Sequence, residues 1–274
     1  MRTIVHLSDL HTGRLDRDVE APLVTAIRAA RPDLVVLSGD LTQRATVVQF
    51  REARAILDAL GTRTLTIPGN HDVPLWNVAA RFLTPLSRYR RYIDADLSPV
   101  FQDEEMIVAG VNTARSLTWG EGRISARQVD GLLQRLAAAP PHATRIIVTH
   151  HPFDLPPGVR EQRLVGRARM AMARLATAGA DLFLSGHLHL SHVSHSAERY
   201  RIAGHSALIV QAGTVSVRGR GEEPSFNVLR LERGRLTIDR FVWDPALRNF
   251  VEVAAGIYQR GPDGWTRIHD ASGA

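Results

Sequence analysis

Asp9 and His11 stand two residues apart behind the apolar run Thr3–Leu7. Asp40 closes Ser38–Gly39–Asp40 behind Asp33–Leu37, and Asn70, His71 and Asp72 follow Thr64–Ile67 and Pro68–Gly69. His150 follows Arg145–Thr149, while His187 and His189 follow Asp181–Leu184. Every cluster thus comes directly after a predicted strand, where ligands gather in α/β sheets. Carboxylates and imidazoles buried without partners would cost several kcal/mol each. A metal removes that cost. The donors are oxygen and nitrogen with no sulfur, a set that suits Mn, Fe, Zn or Ni better than a structural zinc–thiolate site. The seven good donors are Asp9, His11, Asp40, Asn70, His150, His187 and His189. They are too many for one tetrahedral ion and suit two ions sharing a bridging carboxylate. Two ions roughly 3.5–4 Å apart can clamp a phosphoryl group and generate hydroxide between them. Taken singly, Asp-x-His is usually a surface loop and Gly39–Asp40 an ordinary turn. The inference rests on all the clusters, in this order, behind strands.

Elements that could position them are legible as well. Helical spacing covers Asp18–Arg31 (Val19, Leu23, Ile27), Ala45–Leu60, Ser125–Ala139 and Arg163–Ala178. Ser125 and Gln128 make a capping box, and Gly179 is a stop signal. Continuous apolar runs such as Asp33–Leu37 predict strands buried on both faces of a parallel or mixed sheet. Residues 73–99 break this rhythm. Trp76, Phe82, Leu83, Leu86, Tyr89 and Tyr92 fall near helical spacing there, predicting an inserted cap-like helical segment. Its apolar stripe reads as core or a subunit contact, with a substrate-covering lid as the sharper option. From about residue 191 to 270 the pattern becomes mainly β: Ala207–Gln211, Phe226–Leu231, Leu236–Trp243 and Phe250–Tyr258. These strands are expected to form a second, antiparallel sheet packed on the first. The extended spacing of His187 and His189 would point both imidazoles the same way.

Composition narrows the classes. The chain of 274 residues is 44% hydrophobic and 23% charged, as expected of a soluble globular protein. No run approaches ~18 apolar residues, which excludes a transmembrane helix and integral membrane association. There is no cysteine, so disulfides, thiolate ligands and cysteine nucleophiles are excluded. The opening residues lack the order of a secretory signal, so the expected location is cytoplasmic. All 34 basic residues are Arg, against 28 acidic residues, and they are spread without a run. Base composition accounts for that choice; phosphate binding is the alternative. The spread argues against a nucleic-acid tail.

Asp9-Leu10-His11, Gly39-Asp40, Gly69-Asn70-His71-Asp72, His150-His151-Pro152 and Gly186-His187-Leu188-His189 together resemble the five blocks of the calcineurin-like metallophosphoesterase superfamily. The opening His6-Leu7-Ser8-Asp9-Leu10-His11 and Gly39-Asp40-Leu41-Thr42 narrow the likeness to bacterial class III cyclic nucleotide phosphodiesterases. The resemblance implies one α/β domain over residues 1–274, a four-layer α/β/β/α sandwich of two mixed sheets flanked by helices. The metal site would lie at the strand C-terminal edge. It further implies that Asp9, His11 and His189 hold one ion, that Asn70, His150 and His187 hold a second, and that Asp40 bridges them. The ions would be divalent or mixed-valence, Mn and/or Fe first, then Zn, Ni or Co. His71 would face the substrate phosphate with Asp72 orienting its ring, and His151 would either support a metal ligand from behind or pack the loop.

Hydrolysis of a phosphodiester by a metal-bridging hydroxide is the leading reading, with a 3′,5′-cyclic nucleotide as first choice. A phosphomonoester, or the pyrophosphate of a nucleotide-linked lipid precursor, fits the same core. An inactive scaffold that binds protein is the reading from another class. The expected partner is a small phosphoester, a nucleotide in the first instance, and not a specific nucleic acid; a homodimer is compatible with the apolar stripe. Asn112 is expected near the substrate or bonded to a ligand, and Arg115, Arg218 and Arg220 could reach a phosphate. His6 reads as a core histidine, His192 and His195 as strand residues, and His142, His205 and His269 as surface or loop.

Overall fold

The computed structural model describes residues 1–200, 206–217 and 221–270. His205, Arg218 and Arg220 lie outside the described residues, as does the side chain of His269. Strands β1 (Arg2–Leu7), β2 (Leu34–Leu37) and β3 (Thr64–Thr66) run parallel, with α1 (Arg17–Ala29) and α2 (Val47–Leu60) as crossovers. Helices α3 (Val78–Leu83) and α4 (Ser87–Tyr92) and strand β4 (Val100–Gln102) lead to β5 (Met106–Gly110). Strand β5, β6 (Thr144–Val148) and β7 (Leu182–Ser185) are again parallel, joined by α5 (Ala126–Ala137) and α6 (Ala168–Thr177). The chain ends with β8 (His192–His195), α7 (Ser196–Arg199), β9 (Leu208–Gln211), β10 (Ser225–Glu232), β11 (Arg235–Asp244), β12 (Asn249–Gly261) and β13 (Gly264–Asp270).

Two mixed sheets result. One has the order β13-β12-β11-β10-β1-β2-β3, the other β4-β5-β6-β7-β9-β8. Successive side chains of a strand face opposite ways, and this alternation builds the layers. In β2, Val35 and Leu37 pack under α1 and α2 while Leu34 and Val36 face the other sheet. In β6, Ile147 packs with α5 and α6, and Ile146 and Val148 meet Leu34 and Val36 from across the gap. Three apolar clusters therefore separate four layers, helices–sheet–sheet–helices, the expected architecture. The caps hold it locally: the Ser125–Gln128 box is formed, and Thr46 accepts from the backbone of Gln49 at the start of α2.

Three expectations hold in part only. Of the expected late strands only Ala207–Gln211, as β9, joins the second sheet, beside β8 and parallel to β7; β10 pairs antiparallel with β1, Val5 opposite Val228, so β10–β13 extend the first sheet. The free edge of β1 leaves backbone groups that need a ladder partner, and β10 supplies it. The other strands of the second sheet, β4–β7, come from the middle of the chain. Residues 73–99 carry helices, as expected, but the stripe runs over two short ones, α3 and α4. It is interrupted at Thr84–Pro85, since proline offers no N–H and clashes with the preceding turn. Leu86 and Tyr89 are buried, whereas Trp76, Phe82 and Leu83 are exposed. The last predicted helix starts at Ala168 rather than Arg163, behind a short 3₁₀ turn at Glu161–Arg163.

Candidate metal centre

Parallel strands of both sheets end at one rim. Asp9 and His11 follow β1, Asp40 follows β2, and Asn70–Asp72 form a 3₁₀ turn after β3. His150 follows β6, and His187 and His189 follow β7. The site thus lies where the two sheets meet. Five of its side chains are projected from left-handed backbone: Asp9 (φ 57°), His11 (45°), Asp40 (53°), His187 (72°) and His189 (59°). Such conformations cost about 1–3 kcal/mol each and persist where function requires them. They also correct the extended pairing expected for His187 and His189. The N–H of Leu188 donates to the Gly186 carbonyl at 2.9 Å, closing a three-residue turn on His187. The turn sends the two rings to different partners, His189 toward His11 and His187 toward His150.

The distances fit bound cations. His189 Nε2 and His11 Nε2 are 3.1 Å apart, and Asp9 Oδ1 lies 3.1 Å from the first and 3.5 Å from the second. On the other side, His150 Nε2 is 3.3 Å from Asp40 Oδ2 and 3.1 Å from Asn70 Oδ1. Ligands about 2.1 Å from one ion at angles of ~90–109° stand roughly 3.0–3.4 Å from each other. Asp40 Oδ2 is also 3.8 Å from His11 Nε2, which sets this carboxylate between the two groups. His187 Nε2 is buried without a hydrogen-bond partner among the described residues. The buried clusters Asp9–His11–His189, Asp9–Asp40–His150 and His150–His151–His187 each bring three ligand atoms within 4.8 Å of one another.

Supporting contacts aim these groups. His150 Nδ1 donates to the Ser38 carbonyl at 2.8 Å, which leaves Nε2 for the centre. The backbone N–H of His187 donates to Asp9 Oδ2 at 2.9 Å. Glycine is required at Gly39, whose φ is 98° and where a Cβ would lie 2.5 Å from His150 Nδ1. At Gly186 a Cβ would overlap Ser8 Oγ and lie 2.5 Å from Asp9 Oδ2.

Electrostatics follow from crowding. Burial opposes the Asp40 charge, but His150, His71 and His11 outweigh it and hold the carboxyl well below its usual range. The same balance with His189 and His11 holds Asp9 low. Burial also opposes a charged His150, yet Asp40 beside it pushes the imidazole up to about 9. Burial and then His150 push His187 down to about 3. His6, behind the site with Nε2 3.0 Å from Ser38 Oγ, is pushed down to about 3 by burial, consistent with a neutral core histidine.

The calcineurin-like phosphoesterase family model matches residues 2–191. This chain belongs to that family. A probable cyclic nucleotide phosphodiesterase of Rhodococcus erythropolis is 31% identical over 211 residues, 69% of this chain and 65% of that protein. Another, from Synechococcus, is 28% identical over 162 residues, 55% of this chain and 58% of that one. The alignments thus span less than two thirds of these relatives. A dimetal phosphatase of Danio rerio shares the fold with a TM-score of 0.64 at 14% identity, over 92% of this chain and 98% of that one. A purple acid phosphatase of yellow lupin has a TM-score of 0.65 at 12% identity, over 88% of this chain and 51% of that one.

The expected link between Asp72 and the His71 ring is not made. His71 Nδ1 lies 3.0 Å from the Gln43 carbonyl, and its backbone N–H donates to Asp40 Oδ1 at 2.8 Å. Asp72 is fully turned into the backbone. It accepts from the N–H groups of Leu41 (3.2 Å), Thr42 (2.9 Å) and Gly69 (2.9 Å) and from the Thr42 hydroxyl (2.9 Å). Burial and then Asp40 push its carboxyl up to about 6. Gln43, Ser38 and Thr113 escaped the sequence reading. Ser38 and Gln43 left a signal, standing two residues before and three residues past Asp40 in the same loop. Thr113 Oγ1 is 2.8 Å from His151 Nδ1, and the His151 ring packs 4.6 Å from that of His187. Asn112 turns its side-chain oxygen to the Ala114 N–H at 2.8 Å rather than to a ligand. It lines a cavity of about 590 Å³ with Val73, Leu86, Arg90, Leu97 and Arg115. His192 and His195 lie on β8, and among the described residues no metal-type cluster includes them.

Proposed function

We propose that this phosphoesterase hydrolyses a phosphodiester at a dinuclear centre, with a 3′,5′-cyclic nucleotide as the first candidate. The observation that carries the reading is the convergence of Asp9, His11, Asp40, Asn70, His150, His187 and His189 at ligand-to-ligand spacing. Asp9, His11 and His189 would hold one cation, Asn70, His150 and His187 the other, and Asp40 both. Bound cations, Mn and/or Fe in this reading, supply positive charge for the phosphoryl oxygens and lower the pKa of water. The protein contributes the rest. The Gln43 carbonyl fixes His71 Nδ1 as a donor, so Nε2 is the nitrogen that passes a proton to the leaving oxygen. The Asp40 carboxylate accepts from the His71 backbone and so sets that ring's distance from the centre. The cavity beside Val73 and Asn112 would take the organic part of the substrate, with Arg90 and Arg115 toward any further negative charge.

The names of the two bacterial relatives support the cyclic nucleotide. The test is a panel of cyclic AMP, bis-p-nitrophenyl phosphate and p-nitrophenyl phosphate on manganese-loaded protein, with metal analysis. Preference for the diesters with about two metals per chain is expected. Preference for the monoester would overturn the diester assignment. Protein with less than about one metal and no gain from added manganese would instead be a binding scaffold.

A further inference from the structure

Large exposed hydrophobic side chains gather on one face. Trp76 (80% exposed), Val78, Phe82 and Leu83 (81%) lie in or just before α3, and Leu117 (69%) and Trp119 (67%) lie on the loop after β5. Arg81 ties the two pieces together. Its buried guanidinium donates to the Pro74 carbonyl at 3.0 Å and to the Thr118 carbonyl, and sits 4.6 Å from the centre of the Trp119 ring. The six side chains are therefore held as one surface. Single exposed apolar residues are ordinary; a clustered group marks an interaction site.

Charge says what covers it. Residues 73–93 and 112–120 contain five arginines and no Asp or Glu, with Asp94, Asp96 and Glu121 just beyond; Arg81 and Arg88 are tied inward to backbone carbonyls, which leaves Arg90, Arg91 and Arg115 as the cations of the face. Arg90 and Arg91 are exposed at the end of α4, and Arg115 is half-buried beside Leu117. A second copy on this face would set those arginines against their own equivalents. We propose that the face docks on an anionic lipid bilayer, its indole and aliphatic groups entering the headgroup boundary and its arginines meeting lipid phosphates. Docking would turn the wall formed by Thr84, Arg115 and Leu117 of the 590 Å³ cavity toward the headgroups. The proposal stands without the phosphodiesterase reading, because the docking face holds none of the seven metal donors; Arg90 and Arg115 are shared with the cavity given to the substrate, so the variants below leave both in place.

The intrinsic fluorescence is suited to the test. Trp243 and Trp265 are buried, so a change of emission on binding reports Trp76 and Trp119. The full chain is incubated with vesicles of phosphatidylcholine alone and with vesicles one third phosphatidylglycerol, then sedimented. Binding to the anionic vesicles only, with a blue shift and release by salt, is expected. Leu83→Ser should weaken partitioning about tenfold or more, and Arg91→Ser about fivefold, with unchanged circular dichroism. Hydrolysis of a soluble diester without vesicles should be the same in both variants. Absence of binding to anionic vesicles overturns the proposal. So does equal binding by Leu83→Ser, or a wild-type dimer in sedimentation equilibrium that Leu83→Ser makes monomeric. A failed substrate panel with intact vesicle binding would overturn only the diesterase reading.

Discussion

Replacing Asp72 separates two roles that a carboxylate next to His71 can have. If it oriented the imidazole, loss of its charge would lower turnover. In this fold it instead accepts from three backbone N–H groups and one hydroxyl, bracing the loop of Asp40 against the turn of Asn70. Asp72→Asn and Asp72→Ala both remove the charge and with it the repulsion from Asp40 that pushes this carboxyl up. Their difference therefore isolates the acceptors. The Asn oxygen can take the place of Oδ2 and keep the N–H groups of Leu41 and Gly69, while its amide meets the Thr42 hydroxyl. One backbone donor, that of Thr42, is left over. Alanine leaves all three. Each buried unsatisfied donor costs about 1–3 kcal/mol, so the Ala variant, with two more of them, should be less stable than the Asn variant by about 2–6 kcal/mol. Urea unfolding of metal-free protein measures the stability difference, and elemental analysis after reconstitution measures metal retention. The Asn variant should keep its metals and stay within about tenfold of wild-type turnover. Equal stability of the two variants, with turnover in both falling by two orders of magnitude or more, would refute the bracing role and restore the orienting one.

Other perturbations probe the centre directly. Asp40→Ala should abolish activity and lower metal content, because one carboxylate reaches toward both donor groups; full metal loading would contradict its bridging place. His71→Ala should keep the metals and lower turnover by about 10²–10⁴-fold, and metal loss in this variant would remove His71 from the proton-transfer role. At Gly186 an alanine Cβ would overlap Ser8 Oγ. Gly186→Ala should cost about 1–3 kcal/mol and loosen the metal at Asp9 and His189, with partial recovery on adding Ser8→Gly; an unaffected metal content would show that the loops part freely. In the metal-free protein His150 keeps its proton up to about pH 9 because Asp40 outweighs the effect of burial. A cation must displace that proton, so competitive chelator titrations should show affinity rising about tenfold per pH unit toward pH 9 and levelling above it. A flat profile between pH 7 and 9 would mean that His150 is already neutral.

What could be read from the sequence divides along local and non-local physics. Asp9, Asp40, Asn70, His150 and His187 were visible because each ends an apolar run, and a polar group behind a buried strand needs a reason to be there. The Ser125–Gln128 cap was visible because both partners lie within one helical turn. The pairing of β10 with β1 depends on residues some 220 positions apart, and strand alternation alone does not choose an edge. The residue pair Asp72 and Gln43 shows the sharper limit. Adjacency suggested that Asp72 serves His71, yet the 3₁₀ turn rotates its carboxylate into the backbone donors of Leu41, Thr42 and Gly69. An ionisable acceptor with unmet N–H groups nearby fills them before it can serve a ring that already has the Gln43 carbonyl. The same reasoning governs His187 and His189. Spacing of two residues reads as extended backbone, but left-handed φ values at both positions divide the pair between two donor groups. Strain of that kind has no signature in residue type when the residue is histidine. It becomes intelligible only once Asp9 and His150, from opposite sheets, fix where each imidazole has to go.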